Sequence, residues 1–470
     1  MYVEQLFTGC LAEMAYYIES EGEVAIIDPL RETTPYLEMA EKRGAKIKYV
    51  FLTHFHADFV SGHVDLAKKS GATIVFGPNA KTEFNFHNGG DGEEFKVGNI
   101  TLKLLHTPGH TMESSSYLLI DEKGNTPYIF TGDALFIGDV GRPDLAVKSD
   151  VTQNDLAGYL FDSLRNKIML LPDDIIVYPN HGAGSACGKN MSKETFDTLG
   201  NQKKVNYALR ADMTKEEFVK EVTTGLIAPP QYFPKNVMMN KRVNASYDNI
   251  LKKGTTPLSV ADVKSLTKEK GALILDVRPT AEFIKEHIPN ALFIGLDGSF
   301  APWVGALIED ISTPIILVVS KGREDEAITR LSRVGYDNTI GFLKGGINAW
   351  KDAEESVENV LSLSCNQFSE KLTPNSSILD VRKTTEHFSE QMIHENVNNF
   401  PLDNLFSDYA QIENKEQYVH CAGGYRSVIA ISILKAKGYH KLINVEGGFS
   451  AMKNEEKVQI SEYVCPTTMV

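Results

Sequence analysis

Nowhere in the 470 residues is there a window approaching the roughly 18 consecutive apolar residues that a membrane-spanning helix needs, so no membrane span is expected. Runs of basic residues are also missing, and the formal net charge is -14, which argues against a nucleic-acid or anionic-lipid surface. The opening Met1-Tyr2-Val3-Glu4-Gln5-Leu6 has neither a basic nor an apolar region of the kind that begins a secretory signal, so a cytoplasmic protein is expected. Cysteine is scarce: five residues, odd in number and widely scattered, cannot form a disulfide framework. A reducing compartment fits that usage. At roughly 100 to 200 residues per domain, this length predicts two to four domains.

What is present begins with Thr53-His54-Phe55-His56-Ala57-Asp58-Phe59, a cluster of imidazoles and a carboxylate on a short loop. Three further segments follow in order: His106-Thr107-Pro108-Gly109-His110-Thr111 after an apolar run, then Thr131-Gly132-Asp133-Ala134, then Tyr178-Pro179-Asn180-His181-Gly182. Four segments bearing nitrogen and oxygen donors at loop positions predict one metal centre assembled from distant parts of the chain. Strand-end histidines at His54 and His56 alone would not account for the other three.

From its start to about Phe233 the chain resembles the metallo-β-lactamase superfamily, which implies an αββα fold over residues 1–245. The resemblance places His54, His56, His110 and Asp133 at one metal site, and Asp58, the residue at 59, Asp133 and His181 at a second. Phenylalanine offers no lone pair, so Phe59 leaves the second site poor in donors, and a single metal is expected. Asp58 then reads as a carboxylate that orients a ligating imidazole. Two histidines and one carboxylate with open positions suit Fe(II) and O2, whereas a closed nitrogen set suits zinc and hydrolysis. Gly141-Arg142-Pro143-Asp144 resembles the matching segment of the persulfide dioxygenases. That resemblance implies Fe(II), one per chain, on His54, His110 and Asp133, with His56 beside it and zinc disfavoured. It also implies that Arg142 or Tyr178 contacts a carrier thiol; the less favoured reading of Arg142 is a loop arginine paired with Asp144. Cys187, in a glycine-flanked run just past His181, reads either as a sulfur acceptor near the metal or as a small residue in a tight loop.

Between Pro234 and Pro257 periodicity fades, which suggests passage across a domain boundary. Beyond it the sequence repeats. Leu273-Ile274-Leu275-Asp276-Val277-Arg278 is echoed by Ile378-Leu379-Asp380-Val381-Arg382, and each copy goes on to an apolar strand, a helical segment, a Gly-Tyr pair and a Gly-Gly turn. Strands alternating with helices predict small parallel sheets in two duplicated domains. Both copies resemble rhodanese sulfurtransferases, over residues 256–356 and 360–460. The second carries Cys421-Ala422-Gly423-Gly424-Tyr425-Arg426-Ser427 between strand and helix. A cysteine at a helix start, facing backbone N–H groups, has its thiolate stabilised and becomes a nucleophile. Cys421 and Arg426 are therefore the expected catalytic pair, with Ala422, Gly423, Gly424, Tyr425 and Ser427 forming a persulfide cradle. Four residues separate Cys421 from Arg426; related phosphatases use a longer loop to admit phosphate, so sulfur transfer is favoured. In the first copy Val319 or Ser320 takes the cysteine's place, depending on the alignment of Gly322, and that domain is expected to be catalytically silent.

As a whole the chain resembles the persulfide dioxygenase–rhodanese fusions of sulfide detoxification. The resemblance implies an enzyme that oxidises a low-molecular-weight thiol persulfide, of glutathione, coenzyme A or bacillithiol, with O2 to sulfite and thiol. Cys421 would link sulfite, persulfide and thiosulfate, and a homo-oligomer is compatible with sulfur passing between the two centres. The alternatives are a zinc thioester hydrolase fused to a rhodanese, and a sulfur carrier or sensor whose metal domain only binds.

Overall fold

A computed structural model describes residues 1–147, 150–226 and 228–465. The chain divides into two compact units, Met1–Asn249 with Leu331–Gly335, and Ile250–Arg330 with Tyr336–Val470. No helix among the described residues is long and apolar enough to cross a membrane.

In the first unit two six-stranded mixed sheets face each other. One runs in order from Tyr2–Thr8 through Glu13–Ser20, Glu23–Ile27, Lys46–Phe51 and Thr73–Phe76 to His87–Asn88; the other holds Asp197–Thr198, Ile176–Pro179, Tyr128–Gly132, Ser115–Ile120, Ile100–His106 and Glu94–Val97. Strand alternation explains the layering. Along Glu13–Ser20, Met14, Tyr16 and Ile18 point into the core shared by both sheets with Phe51, Tyr117 and Phe130, while Ala15 and Tyr17 point to the opposite face. That face is covered by helices Thr34–Lys42 and His63–Ser70, and the outer face of the other sheet packs on Gln153–Ser163 and Lys215–Thr223. The result is the expected αββα sandwich. Local signals support it: Thr152 and Thr214 each close a capping box at the start of a covering helix.

The second unit contains two five-stranded, all-parallel sheets of the same order. The first is Pro257–Leu258, Thr339–Leu343, Ile315–Val318, Leu273–Asp276, Leu292–Phe293, and the second is Leu361–Leu363, Leu442–Val445, Gln417–His420, Ile378–Asp380, Val397–Asn399. These are the two rhodanese-like α/β domains. The repeated Asp-Val-Arg element is a structural pin in both. Arg278 grips the buried Asp276 through Nε and Nη2, and Arg382 grips Asp380 the same way, each also reaching a carbonyl eight residues on.

The Pro234–Pro257 stretch, expected to be aperiodic, contains helices Phe233–Asn240 and Tyr247–Gly254. The first starts with proline at an N-terminal position, where the missing N–H costs nothing. Its stability comes from what its side chains grip in the first unit, a signal that periodicity does not carry.

His63 opens the helix His63–Ser70 against the rings of Phe76 and Phe84, fully buried, with neither ring nitrogen hydrogen-bonded. Burial lowers its pKa from 6.5 to about 3. Because the unfolded chain binds a proton at His63 that the fold refuses, stability is lost as pH falls from about 6.5 towards 3. His63→Leu is expected to move the acid-unfolding midpoint to lower pH, followed by tyrosine fluorescence; an unmoved midpoint would mean His63 does not set acid stability.

Candidate metal centre and sulfur cradle

Four loops meet at one edge of the sandwich because each follows the end of a strand: Lys46–Phe51, Ile100–His106, Tyr128–Gly132 and Ile176–Pro179. They deliver His54, His110 and Asp133 as a fully buried set whose donor atoms all lie within 4.8 Å of one another. His110 Nε2 is 3.4 Å and His54 Nε2 is 3.8 Å from Asp133 Oδ2. Both His54 Nε2 and Asp133 Oδ2 are buried without a hydrogen-bond partner. Orphaned donors of this kind cost free energy unless a cation meets them, so this set fits a divalent metal.

The opposite ring nitrogens are occupied. His54 Nδ1 lies 2.9 Å from Thr53 Oγ1, and His110 Nδ1 is 2.8 Å from Arg142 O, which aims each Nε2 inward. Burial alone would raise the Asp133 carboxyl, but His181 and His54 outweigh it and hold the group well below the usual carboxylate range. His54 is pushed the other way, chiefly by burial and next by His56, so it stays neutral and ready to ligate. Close approach is also required of the chain: a Cβ on Gly141 would lie 2.0 Å from Asp133 O and 3.0 Å from His110 Nδ1.

His56 stands beside this set. Its Nε2 is 3.0 Å from Asp28 Oδ1, its Nδ1 is unpartnered, and Phe59 stacks on its ring at 4.3 Å. Asp58 and His181 belong to a second buried group, joined by Cys187, again within 4.8 Å. His181 Nδ1 lies 2.8 Å from Asp133 Oδ1 and its Nε2 2.8 Å from Asp58 Oδ2. Burial opposes protonation of His181, but these two carboxylates win and raise its pKa well above the ordinary value. Asp58 thus orients an imidazole, and that imidazole in turn braces Asp133. The Cys187 thiol is buried beside them, and burial first, then Asp58 and Asp133, push it up and keep it neutral.

Arg142 makes a bidentate pair with Asp144, both bonds 2.7 Å, and its Nη1 donates to Ala186 O at 3.2 Å while its backbone N–H donates to Cys187 O at 3.0 Å. It ties the Cys187 loop to the metal side. Tyr178 is half-buried and stacks on Phe130 at 5.6 Å, its hydroxyl pushed up by burial.

Three residues were not foreseen. Asp28 accepts from Thr53 N and Oγ1 and orients His56. Glu13 is fully buried with both carboxyl oxygens unpartnered, and burial raises its pKa. Asn240 donates to His56 O and Phe59 O and accepts from Ser61 N, each at 2.8 Å. Asp28 and Asn240 act across long sequence separations, which no local pattern reveals. Asn240→Ala leaves three loop groups buried and unpaired, costing on the order of 3 kcal/mol. It is expected to speed metal loss to a chelator by more than about tenfold; an unchanged release rate would refute its hold on the loop.

The candidate sulfur cradle, the loop at Cys421, lies in the second unit. Cys421 is buried; Gly424 N–H donates to its Sγ at 3.1 Å, and the thiol reaches Ser427 Oγ at 3.7 Å. Gly424, at φ +96°, makes the turn that an ordinary residue resists, and Tyr425–Ala436 is the helix it opens. The Gly447–Gly448 turn supports the loop from below: Phe449 N–H donates to Cys421 O at 2.7 Å and Ser450 N–H to Ala422 O at 2.9 Å, while Gly423 is exposed. Ser427 Oγ donates to the buried Asn444 Oδ1 at 2.8 Å. Arg426 points to Glu386, with two bonds of 2.7 and 2.8 Å that hold Glu386 below its usual range despite burial. His420 is buried, its Nε2 unpartnered, and burial lowers its pKa.

In the other domain, register resolves the alignment that sequence leaves open. Asp276 pairs with Val318 where Asp380 pairs with His420, so Val319 matches Cys421, Gly322 matches Gly424 and Arg323 matches Tyr425. Both matched glycines have positive φ, +86° and +96°.

The metallo-beta-lactamase superfamily profile matches residues 8–181, and the rhodanese-like domain profile matches 259–353 and 364–455. A crystal structure of a metallo-beta-lactamase from Staphylococcus aureus subsp. aureus COL is 30% identical with TM-score 0.63, covering 73% of this chain and 98% of that one. Hydroxyacylglutathione hydrolase GloC of Haemophilus influenzae is 28% identical over 38% of this chain and 89% of its own. The mitochondrial persulfide dioxygenase ETHE1 of Homo sapiens is 29% identical over 51% of this chain and 87% of its own.

Proposed function

Since the chain belongs to the metallo-β-lactamase superfamily and carries two rhodanese-like domains after that unit, we propose that it oxidises a low-molecular-weight thiol persulfide with O2 and transfers sulfane sulfur at Cys421. Its relatives include a hydroxyacylglutathione hydrolase at 28% identity and a persulfide dioxygenase at 29%. The observation that supports oxygen chemistry is the set of two histidines and one carboxylate, His54, His110 and Asp133, together with Phe59, which stacks on His56 and offers no lone pair to a second metal.

Iron(II) on His54, His110 and Asp133 would supply electrons and open positions for O2. The chain's own residues do the rest. Thr53 and the carbonyl of Arg142 fix the two imidazoles, and His181 holds one oxygen of Asp133 so that the other faces inward. The neutral Cys187 thiol lies within 4.8 Å of the Asp58–His181 pair, and we assign Cys187 to contact with the outer sulfur of the persulfide. Overall, persulfide, O2 and water give the thiol, sulfite and two protons; the outer sulfur loses four electrons and O2 gains them. At the cradle, a persulfide on Cys421 gives its outer sulfur to sulfite, so the S–S bond of the cysteine persulfide breaks, the S–S bond of thiosulfate forms and the Cys421 thiolate leaves. The reverse loads Cys421 from thiosulfate. Arg142, held by Asp144, shapes the Cys187 loop.

Metal content of protein purified without added metal, together with O2 uptake on adding glutathione persulfide or coenzyme A persulfide, tests this. About one iron per chain, O2 consumed and sulfite or thiosulfate formed is expected. Zinc with thioester hydrolysis and no O2 uptake would establish the hydrolase instead.

A further inference from the structure

The silent rhodanese-like domain touches the live cradle, and we propose that its segment Gly295–Gly298 is a strap that positions Tyr425, and through Tyr425 the N–H donor that Cys421 uses. This rests on the reading of Cys421 as the sulfane-sulfur carrier.

The strap is anchored within its own domain by the loop that lost its cysteine. Arg323 Nη1 pairs with Asp297 Oδ1 at 2.8 Å, and Arg330 Nη1 donates to Leu296 O at 2.6 Å. Arg323 thus has a structural role in a domain where Val319 stands at the position Cys421 holds in the other. On its other side the strap meets Tyr425. The Tyr425 hydroxyl donates to Gly295 O at 2.8 Å, and a Cβ on Gly298 would come within 2.3 Å of Tyr425 Cζ and 2.6 Å of its ring edge. Only glycine leaves room for that ring. Just before the strap, Phe293 meets the Tyr425 ring edge-on at 6.0 Å, and its N–H donates at 3.0 Å to Ser432 Oγ on the helix Tyr425–Ala436. The helix that follows the cradle is thus fixed to the silent domain at two points.

Tyr425 is bonded directly to Gly424, whose N–H lies on Cys421 Sγ. The cradle's own domain fixes Cys421 and Ala422 through Phe449 and Ser450, and Arg426 and Ser427 through Glu386 and Asn444, while the Tyr425 side chain between them meets the strap. A donor to a thiolate is a charge-assisted bond, sensitive to displacements well under an ångström. Tyr425 is accordingly a positioning residue, and the silent domain contributes to a reaction it does not perform.

Sulfur transfer from thiosulfate to cyanide by the full chain reads the strap. Gly298→Val, which must displace the Tyr425 ring, is expected to slow transfer about tenfold, the scale of one charge-assisted hydrogen bond. Arg323→Ala, in the other domain, is expected to slow it several-fold at unchanged thermal stability. Adding Gly298→Val to Tyr425→Ala should cost nothing further, because the collision partner is gone. Wild-type rates in Gly298→Val and Arg323→Ala, or additive losses in the double variant, would overturn the proposal. Should Gly298→Val not fold, Arg323→Ala and Tyr425→Phe, which removes only the hydroxyl, carry the same test. Alkylation of Cys421 by iodoacetamide needs no sulfur transfer and separates the two readings. If wild-type protein transfers no sulfur yet alkylation slows in the strap variants, the carrier reading falls and the strap stands; normal transfer with unresponsive variants leaves the carrier and removes the strap.

Discussion

Asp133→Asn is expected to abolish O2 uptake with a persulfide and to strip the metal from the first unit, while sulfur transfer at Cys421 continues at the wild-type rate. Asp133 belongs to the group with His54 and His110 and also touches the neighbouring group: Oδ2 faces His54 and His110, and Oδ1 meets His181. The amide is nearly the same shape but carries no charge. It leaves the two imidazoles without an anionic co-ligand and places one of its polar atoms where an acceptor is required. Partners outside a metal's inner set are worth about 10–100-fold in affinity, so an inner carboxylate should exceed that. Metal analysis after gel filtration reads the loss directly. Persistent O2 uptake in the metal-free variant would remove Asp133 from the centre, and loss of sulfur transfer together with O2 uptake would show that the fold had failed.

Cys421→Ser carries the opposite signature. Transfer from thiosulfate should drop by roughly 10³-fold or more, as for removal of any covalent nucleophile, while iron content and O2 uptake stay intact. Serine keeps the size of the side chain and a hydrogen-bond acceptor for Gly424, so the loop retains its shape. It cannot hold a sulfane sulfur. With the persulfide of a small thiol as substrate, this variant is expected to release sulfite and no thiosulfate. Thiosulfate from Cys421→Ser would move the transfer step to another thiol, with the buried Cys187 next in line.

The two parallel sheets were legible because strands alternate with helices in a pattern the sequence repeats, whereas the sandwich was legible only through the family resemblance carried by its metal-type loops. The choice of His54, His110 and Asp133 came from the resemblance of four donor-bearing segments to a known family, and the three lie together because strand ends on one side of a sandwich converge. Cys187 was only half legible. Its place six residues past His181 is plain, but a glycine-rich loop fixes no direction, and it is the Arg142 bonds to Ala186 and Cys187 that turn the thiol towards Asp58. Asp28 and Asn240 were invisible because a hydrogen bond between residues far apart in sequence leaves no spacing to read. Arg426 illustrates a different limit. The sequence shows an arginine at the right interval from Cys421, yet which way its guanidinium turns depends on Glu386, from another helix of the same domain. The alignment of Val319 with Cys421 needed register, since both gapped readings satisfy the same letters.

The two parallel sheets have a consequence for how the chain reaches its native state. They share one strand order, and in each a central strand ends in aspartate followed by Val-Arg, with the same bidentate pin beneath it. Sheets built this similarly offer each other's strands nearly correct partners while both are open. In refolding from denaturant, strand exchange between the duplicates is the characteristic trap for tandem repeats. Emergence from the ribosome avoids it, because residues up to the Gly345-Gly346 turn can close the first sheet before the second Asp-Val-Arg is made. The order of synthesis therefore acts as a chaperone for the pair, and the yield of active protein should be higher from translation than from refolding.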